Sequence, residues 1–180
     1  MPYLFACFVF YSFIGFLLEV LYSRLTRSHK LDRKCFLLSP LCPVYGFSAV
    51  ALILLPSWIV QSPPLFFLAG GLTATIVEYC TGLFYERGVG VQFWNYASLP
   101  GNISGRICVL FSFFWSILAC FFIYVLHPAI SNILSQVPLI LLQFLFLFLS
   151  VDGIISLILL HKTSSTDILK WYTFRPQTTG

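Results

Sequence analysis

The sequence predicts an all-α polytopic membrane protein, a bundle of five transmembrane helices. Three observations predict it. The chain is 59% hydrophobic and 9% charged, against roughly 45–50% and 25% in soluble proteins. Five apolar runs, at about 3–22, 43–60, 64–85, 107–126 and 137–160, each have about the 20 residues that carry a helix across ~30 Å of hydrocarbon. All ten Lys and Arg residues fall in segments that alternate spans place on one side. By the positive-inside rule that side is the cytoplasm, with the N-terminus outside and the C-terminus inside.

The first run is followed by Arg24, Arg27, Lys30, Arg33 and Lys34. It has no basic stretch before it and is too long for a secretory signal, so it reads as an uncleaved first helix. The basic cluster orients the span and touches anionic lipid; the net charge of +4 is no sign of nucleic-acid binding. The second run opens on Ser39-Pro40-Leu41-Cys42-Pro43. Two prolines so close cannot both sit inside a helix. One suits the first turn, where its absent N–H costs nothing. The rest reads either as a plain helix start or as an irregular wall of a cavity. Residues 61–64 form a turn, making the second and third runs a helical hairpin.

The segment 86–106 is the longest connection. Gly88, Gly90, Pro100, Gly101 and Gly105 exclude one continuous helix, and its aromatic cluster at 92–96 suits headgroup level. Asn102 or Ser104 is expected to cap the fourth span. Asn102-Ile103-Ser104 matches a glycosylation sequon, but on the cytoplasmic side it is a chance match. The segment 127–136 reads as an external loop. Residues 1–162 are expected to form one membrane domain and 163–180 a short cytoplasmic tail, with 168–172 lying along the inner surface. The cysteines show no zinc-ligand spacing and read as packing residues.

Ionisable residues inside a bilayer cost roughly 3 kcal/mol each at mid-helix. This chain has Glu19, Glu78 and Asp152 in separate spans, with Glu86 and Arg106 at span ends. Counting back from the basic flanks puts all three embedded acids ~8–15 Å from the cytoplasmic charges. Ser12 and Gly15 share a face with Glu19, as do Gly71, Thr75 and Gly82 with Glu78, and Ser156 with Asp152. Small and polar stripes of this kind mark helix–helix contacts in lipid. Three carboxylates exceed what one arginine neutralises, so Arg106 is expected to tie together a cluster that handles a proton, a cation or a polar headgroup. A static Glu78–Arg106 pair, with the other acids protonated, is the structural alternative. There is no Ser/His pairing, no HExxH and no phosphate-binding glycine loop, so ATP hydrolysis is not expected of this chain. No cofactor or metal is expected.

At these residues the chain resembles the type IV ABC-transporter permease family, the CmpB-like small bacterial membrane proteins. The resemblance rests on blocks at 13–19, 40–46, 78–82 (Glu78-Tyr79-Cys80-Thr81-Gly82), 94–96 (Trp94-Asn95-Tyr96), 102–108, 114–115 and 127–128, in family order. Two departures are Asn95, where the family has an acid, and Ser39, where it has glycine. The resemblance implies a permease-like transport component of the bacterial inner membrane. It implies a nucleotide-binding ATPase partner and a homo- or hetero-oligomer, with membrane lipids around it. The expected site is an acidic polar cavity in the cytoplasmic half, lined by Cys42, Tyr45, Tyr79, Trp94, Asn95, Tyr96 and Asn102. Two other functions suit the same residues: a membrane enzyme acting on a lipid headgroup, and a non-catalytic accessory subunit.

Overall fold

The computed structural model describes residues 1–25 and 37–169. Among them there is no strand; one isolated bridge joins Ile103 and Ile107. The basic cluster beyond Leu25, Cys35 and the segment after Leu169 lie outside the described residues.

Four helical segments are long and apolar enough to cross a membrane: Pro2–Leu25, Pro63–Val89, Val109–Ser135 and Leu139–Thr163. The first is α1. The region between it and the second is a broken helix, α2 (Pro43–Ile53) followed by the short α3 (Ser57–Val60). Pro56 marks the break: it has no N–H to give and caps α3. Eleven residues of α2 rise only ~16 Å, about half the hydrocarbon thickness. The bundle therefore has four segments long enough for a full crossing and a fifth element, α2, long enough for about half.

α2 begins deep in the bundle. Pro43 takes its first turn, and the Cys42 N–H donates to the Ser12 carbonyl, near the middle of α1, at 2.9 Å. Residues 37–42 are thus irregular backbone at the midpoint of α1. Such backbone persists in lipid only where protein satisfies it. Here Asp152, near the middle of the last long helix, does so.

α4 (Pro63–Phe84) starts on the pair Pro63–Pro64 and runs into one wide π-type turn, Tyr85–Val89. Gly90 ends that turn with φ +81°, a backbone state open to glycine. α5 (Val109–Phe121) begins two residues later than expected. Cys108, not Asn102 or Ser104, is its N-cap, with no side-chain bond. The expected external loop at 127–136 is also mostly helix, α6 (His127–Ser135). A π-type turn at Phe122–Leu126 joins α5 to α6, and the His127 N–H reaches back to the Phe122 carbonyl. The wider turn makes room for the Pro128 ring, which lacks the N–H an α-helix would need there. α7 (Leu139–Thr163) follows, then a 3-10 turn, Thr166–Leu169, whose Leu169 is fully buried.

α1 packs on α2, α2 on α4, and α4 on α5, while α7 lies at the edge. The outer faces are Leu, Ile, Val and Phe, as hydrocarbon demands. Two apolar cores stack along the bundle. One joins Tyr11, Leu52, Phe66, Ala119 and Phe122; the other joins Val44, Tyr85, Leu160 and Leu169 at the end carrying Arg87 and Arg106. The close approach of α1 and α2 depends on Gly46. A Cβ there would fall 2.2 Å from Ser12 Oγ and 2.6 Å from the Phe8 carbonyl oxygen, which is backbone. Gly46→Ala is accordingly expected to cost about 1–3 kcal/mol, the usual range for overpacking. A clear fall in thermal-unfolding midpoint in detergent checks this; an unchanged midpoint refutes the packing.

Candidate functional site

The embedded acids all face protein. Glu78 is 5% exposed and Asp152 6%; Glu19 is half-buried. Their partners differ. Glu78, on α4, accepts from Trp115 Nε1 at 2.9 Å and from the Tyr96 hydroxyl at 3.0 Å. Glu19, on α1, accepts from the Tyr45 hydroxyl at 2.9 Å. The Tyr45 and Trp115 rings meet at 5.1 Å between centroids. Glu19 and Glu78 are close enough to act on each other electrostatically. An aromatic pair therefore links two carboxylates from different helices, and neither acid pairs with a basic residue among the described residues.

Tyr96 comes from the connection between the α4 end and α5. Its ring stacks on Phe111 at 4.7 Å. Burial, and then the adjacent Glu78 carboxylate, push its phenol far above the usual range. Tyr96 is thus held as a proton donor toward Glu78.

Asp152 does something else. One carboxylate oxygen accepts from the Leu38 N–H at 3.1 Å and from Ser156 Oγ at 3.0 Å; the other accepts from the Ser39 N–H at 2.9 Å and from the Ser39 hydroxyl. Asp152 is the receptor for the irregular backbone that leads into α2. Its partners are backbone N–H groups and serine hydroxyls, which sets it apart from Glu19 and Glu78 with their aromatic donors.

Arg106 pairs with Glu86, through Nη2 at 2.8 Å and Nε at 2.9 Å, and lies 5.4 Å from the Tyr79 ring centroid. Among the described residues this is the only ion pair, and it replaces the alternative Glu78–Arg106 pair. Glu86 sits in the turn just past α4, so the loop base reaches it before the acid one turn pair deeper. Trp94 donates to the Arg106 carbonyl at 2.7 Å and packs over Gly82. Asn95 accepts from the Ala97 N–H; Asn102 donates to the carbonyls of Ala97 and Leu99. Gly105, at φ +67°, passes Asn95 Oδ1 where a Cβ would lie 2.7 Å away. These residues brace the loop. The crevice they leave, at Trp94 and Arg106, holds about 10 Å³, the size of a single water. Cys42 is buried in the apolar core beside Leu160 and Leu169.

A larger recess lies on the other side of the Tyr45–Trp115 pair. It is a partly open slot of about 210 Å³ between α1, α2 and α5, lined almost wholly by carbon, including Gly15, Tyr45, Ala49, Trp115, Ala119 and Phe122. The recess is not acidic, because the acids are engaged by the aromatic donors behind it. At its far end Tyr11 joins a third polar cluster: the hydroxyls of Tyr3 and Tyr11 lie 3.2 and 3.0 Å from the two ring nitrogens of His127. Sequence reading missed this triad, and it missed Trp115 and Ser39. The signal was present for the triad: Tyr3 and Tyr11 are polar tips in an apolar run, and His127 precedes a proline where the helix widens.

The family model described as "Putative ABC-transporter type IV" matches residues 6–159. The chain belongs to this family. The match runs from within α1 to near the end of α7, so this ABC-transporter type IV member has Glu19, Glu78, Asp152 and their hydrogen-bond partners inside the family region. Comparison with curated proteins and with solved structures gives no match.

Proposed function

We propose that this chain is the permease-like membrane component of an ABC transporter. Its working site is the pair Glu19–Glu78, read through Tyr45, Trp115 and Tyr96. The observation that carries this reading is the pair itself: two inward carboxylates on separate helices, α1 and α4, each bound to aromatic donors and unmatched by any base among the described residues. Acids in lipid are costly, and those that face the bundle interior commonly mark ion or substrate paths. The half-length α2 adds support, since helices that end at mid-depth form substrate sites in many transporters. In this reading the end bearing Arg24, Arg87, Arg106 and Lys162 faces the cytoplasm, and the loop braced by Arg106 docks a nucleotide-binding ATPase. The membrane is the bacterial inner membrane, and a second copy or a second permease subunit completes the transporter.

The test is purification of the tagged chain from its native membranes in mild detergent, with its partners identified by mass spectrometry. A nucleotide-hydrolysing subunit in fixed ratio is expected. Its loss on Arg106→Ala, with the chain still folded, would place docking at the braced loop. A chain that repeatedly purifies without any such subunit overturns the transport reading and leaves an accessory role.

A further inference from the structure

We infer that the slot takes an amphiphilic organic cation, with its alkyl chain between α1, α2 and α5 and its charged head against the Tyr45–Trp115 ring pair. This deepens the transport reading by naming a cargo class, and only the word cargo rests on that reading.

The shape argues for a chain. Along α5 and the π-type turn after it the lining runs from Trp115 to Leu126, ~16 Å at helical rise, so about 210 Å³ open to the centre of a water molecule leaves a channel ~7 Å from wall to wall, roughly 40 Å² in section. A packed helix, ~10–12 Å across, needs roughly 80–110 Å². The slot is too narrow for a partner helix and suits one alkyl chain. Leu18 and Phe121 at its edges are exposed on the outer face, so entry is from hydrocarbon.

The charge argues for a cation. The slot meets Tyr45 and Trp115 as carbon surface, because the Tyr45 hydroxyl and Trp115 Nε1 are turned to Glu19 and Glu78. Aromatic faces attract ammonium groups, most strongly where water is excluded. Donation to a carboxylate makes each ring richer in electrons, and the two acids behind add their own field. An anionic or neutral head gains none of this.

A third observation concerns Ser48. It is 3% exposed and lines the slot, and its hydroxyl has no partner. Buried hydroxyls are nearly always bonded. Ser48 lies one helical turn from Tyr45, ~4.5 Å along the axis. An ester or ether oxygen at that distance from the charged head would satisfy it.

The test uses the full chain in nanodiscs of neutral glycolipid. A dodecyltrimethylammonium probe with a diazirine on its chain is photolysed with the protein, and the adducts are mapped by peptide mass spectrometry. Adducts are expected on the α1, α2 and α5 stretches that line the slot. Unlabelled dodecyltrimethylammonium should compete at least about tenfold better than dodecanol, as a desolvated cation–π contact implies, with dodecyl sulfate weakest. Lauroylcholine, which adds an ester oxygen, should compete better still, and Ser48→Ala should remove that advantage. Trp115→Leu should weaken the ammonium more than Trp115→Phe, which keeps a ring face. Glu19→Gln with Glu78→Gln should bring the ammonium down to the alcohol. Adducts confined to other surfaces, or equal competition by ammonium and alcohol in the unmodified chain, overturn the inference. Cation binding by a chain that has no ATPase partner would sink the transport reading and keep this site; an ATPase-coupled chain with no cation in the slot would do the reverse.

Discussion

Asp152→Ala is expected to be among the most destabilising single changes in the molecule, costing about 2–4 kcal/mol. The Ser39 N–H would lose its acceptor, and a buried donor left unmet costs about 1–3 kcal/mol. The Leu38 N–H would keep Ser156 Oγ, 3.0 Å away. The entry to α2 would then come loose, and with it the Cys42–Ser12 bond that starts the helix at mid-depth. Asp152→Asn should cost less. Its one carbonyl oxygen still serves a backbone N–H, and the hydroxyls of Ser39 and Ser156 can turn to accept from its amide. Denaturation midpoints of the two variants, with backbone exchange over 38–45, check the order. An alanine variant as stable as the parent would show that the carboxylate does not hold this stretch.

Replacing both Glu19 and Glu78 with glutamine is expected to do the opposite: little loss of fold, near-complete loss of function. Each amide keeps one oxygen for Tyr45 or for one of the Glu78 donors, so only one hydrogen bond at Glu78 is forfeited, about 1 kcal/mol. What disappears is negative charge behind the aromatic pair. In a site that excludes water, such charge is worth far more than at a surface. A fall in turnover of at least about tenfold, 1.4 kcal/mol or more, is expected from an assembly that still purifies intact.

Much of this was legible in the residues. The apolar runs located the four full crossings, and the small residues beside Glu19, Glu78 and Asp152 placed all three acids on inward faces. What could not be read was where each acid's partner would come from. Hydropathy gives no account of backbone donors, so the N–H groups of Leu38 and Ser39 were invisible as the reason for Asp152. Counting charges suggested that Arg106 would serve the embedded acids; distance along α4 gives it Glu86 instead. The run at 43–60 looked like a full span because one proline lowers its mean hydropathy only slightly, while Pro56 breaks its continuity. The segment 127–136 was read as a loop, yet most of it is helix with Pro128 in its first turn. The π-type turn that admits it is a matter of hydrogen-bond register, which composition does not show. His127 and its two tyrosines lie 124 and 116 residues apart in sequence, so only the fold brings them together.

The most direct measurement of the central claim is ATP hydrolysis by the assembly purified with its native lipids, comparing the parent chain with the Glu19→Gln, Glu78→Gln double variant. The account predicts an intact assembly whose hydrolysis falls at least about tenfold. A double variant that hydrolyses ATP at the parent's rate, or a parent assembly that hydrolyses none, would contradict it.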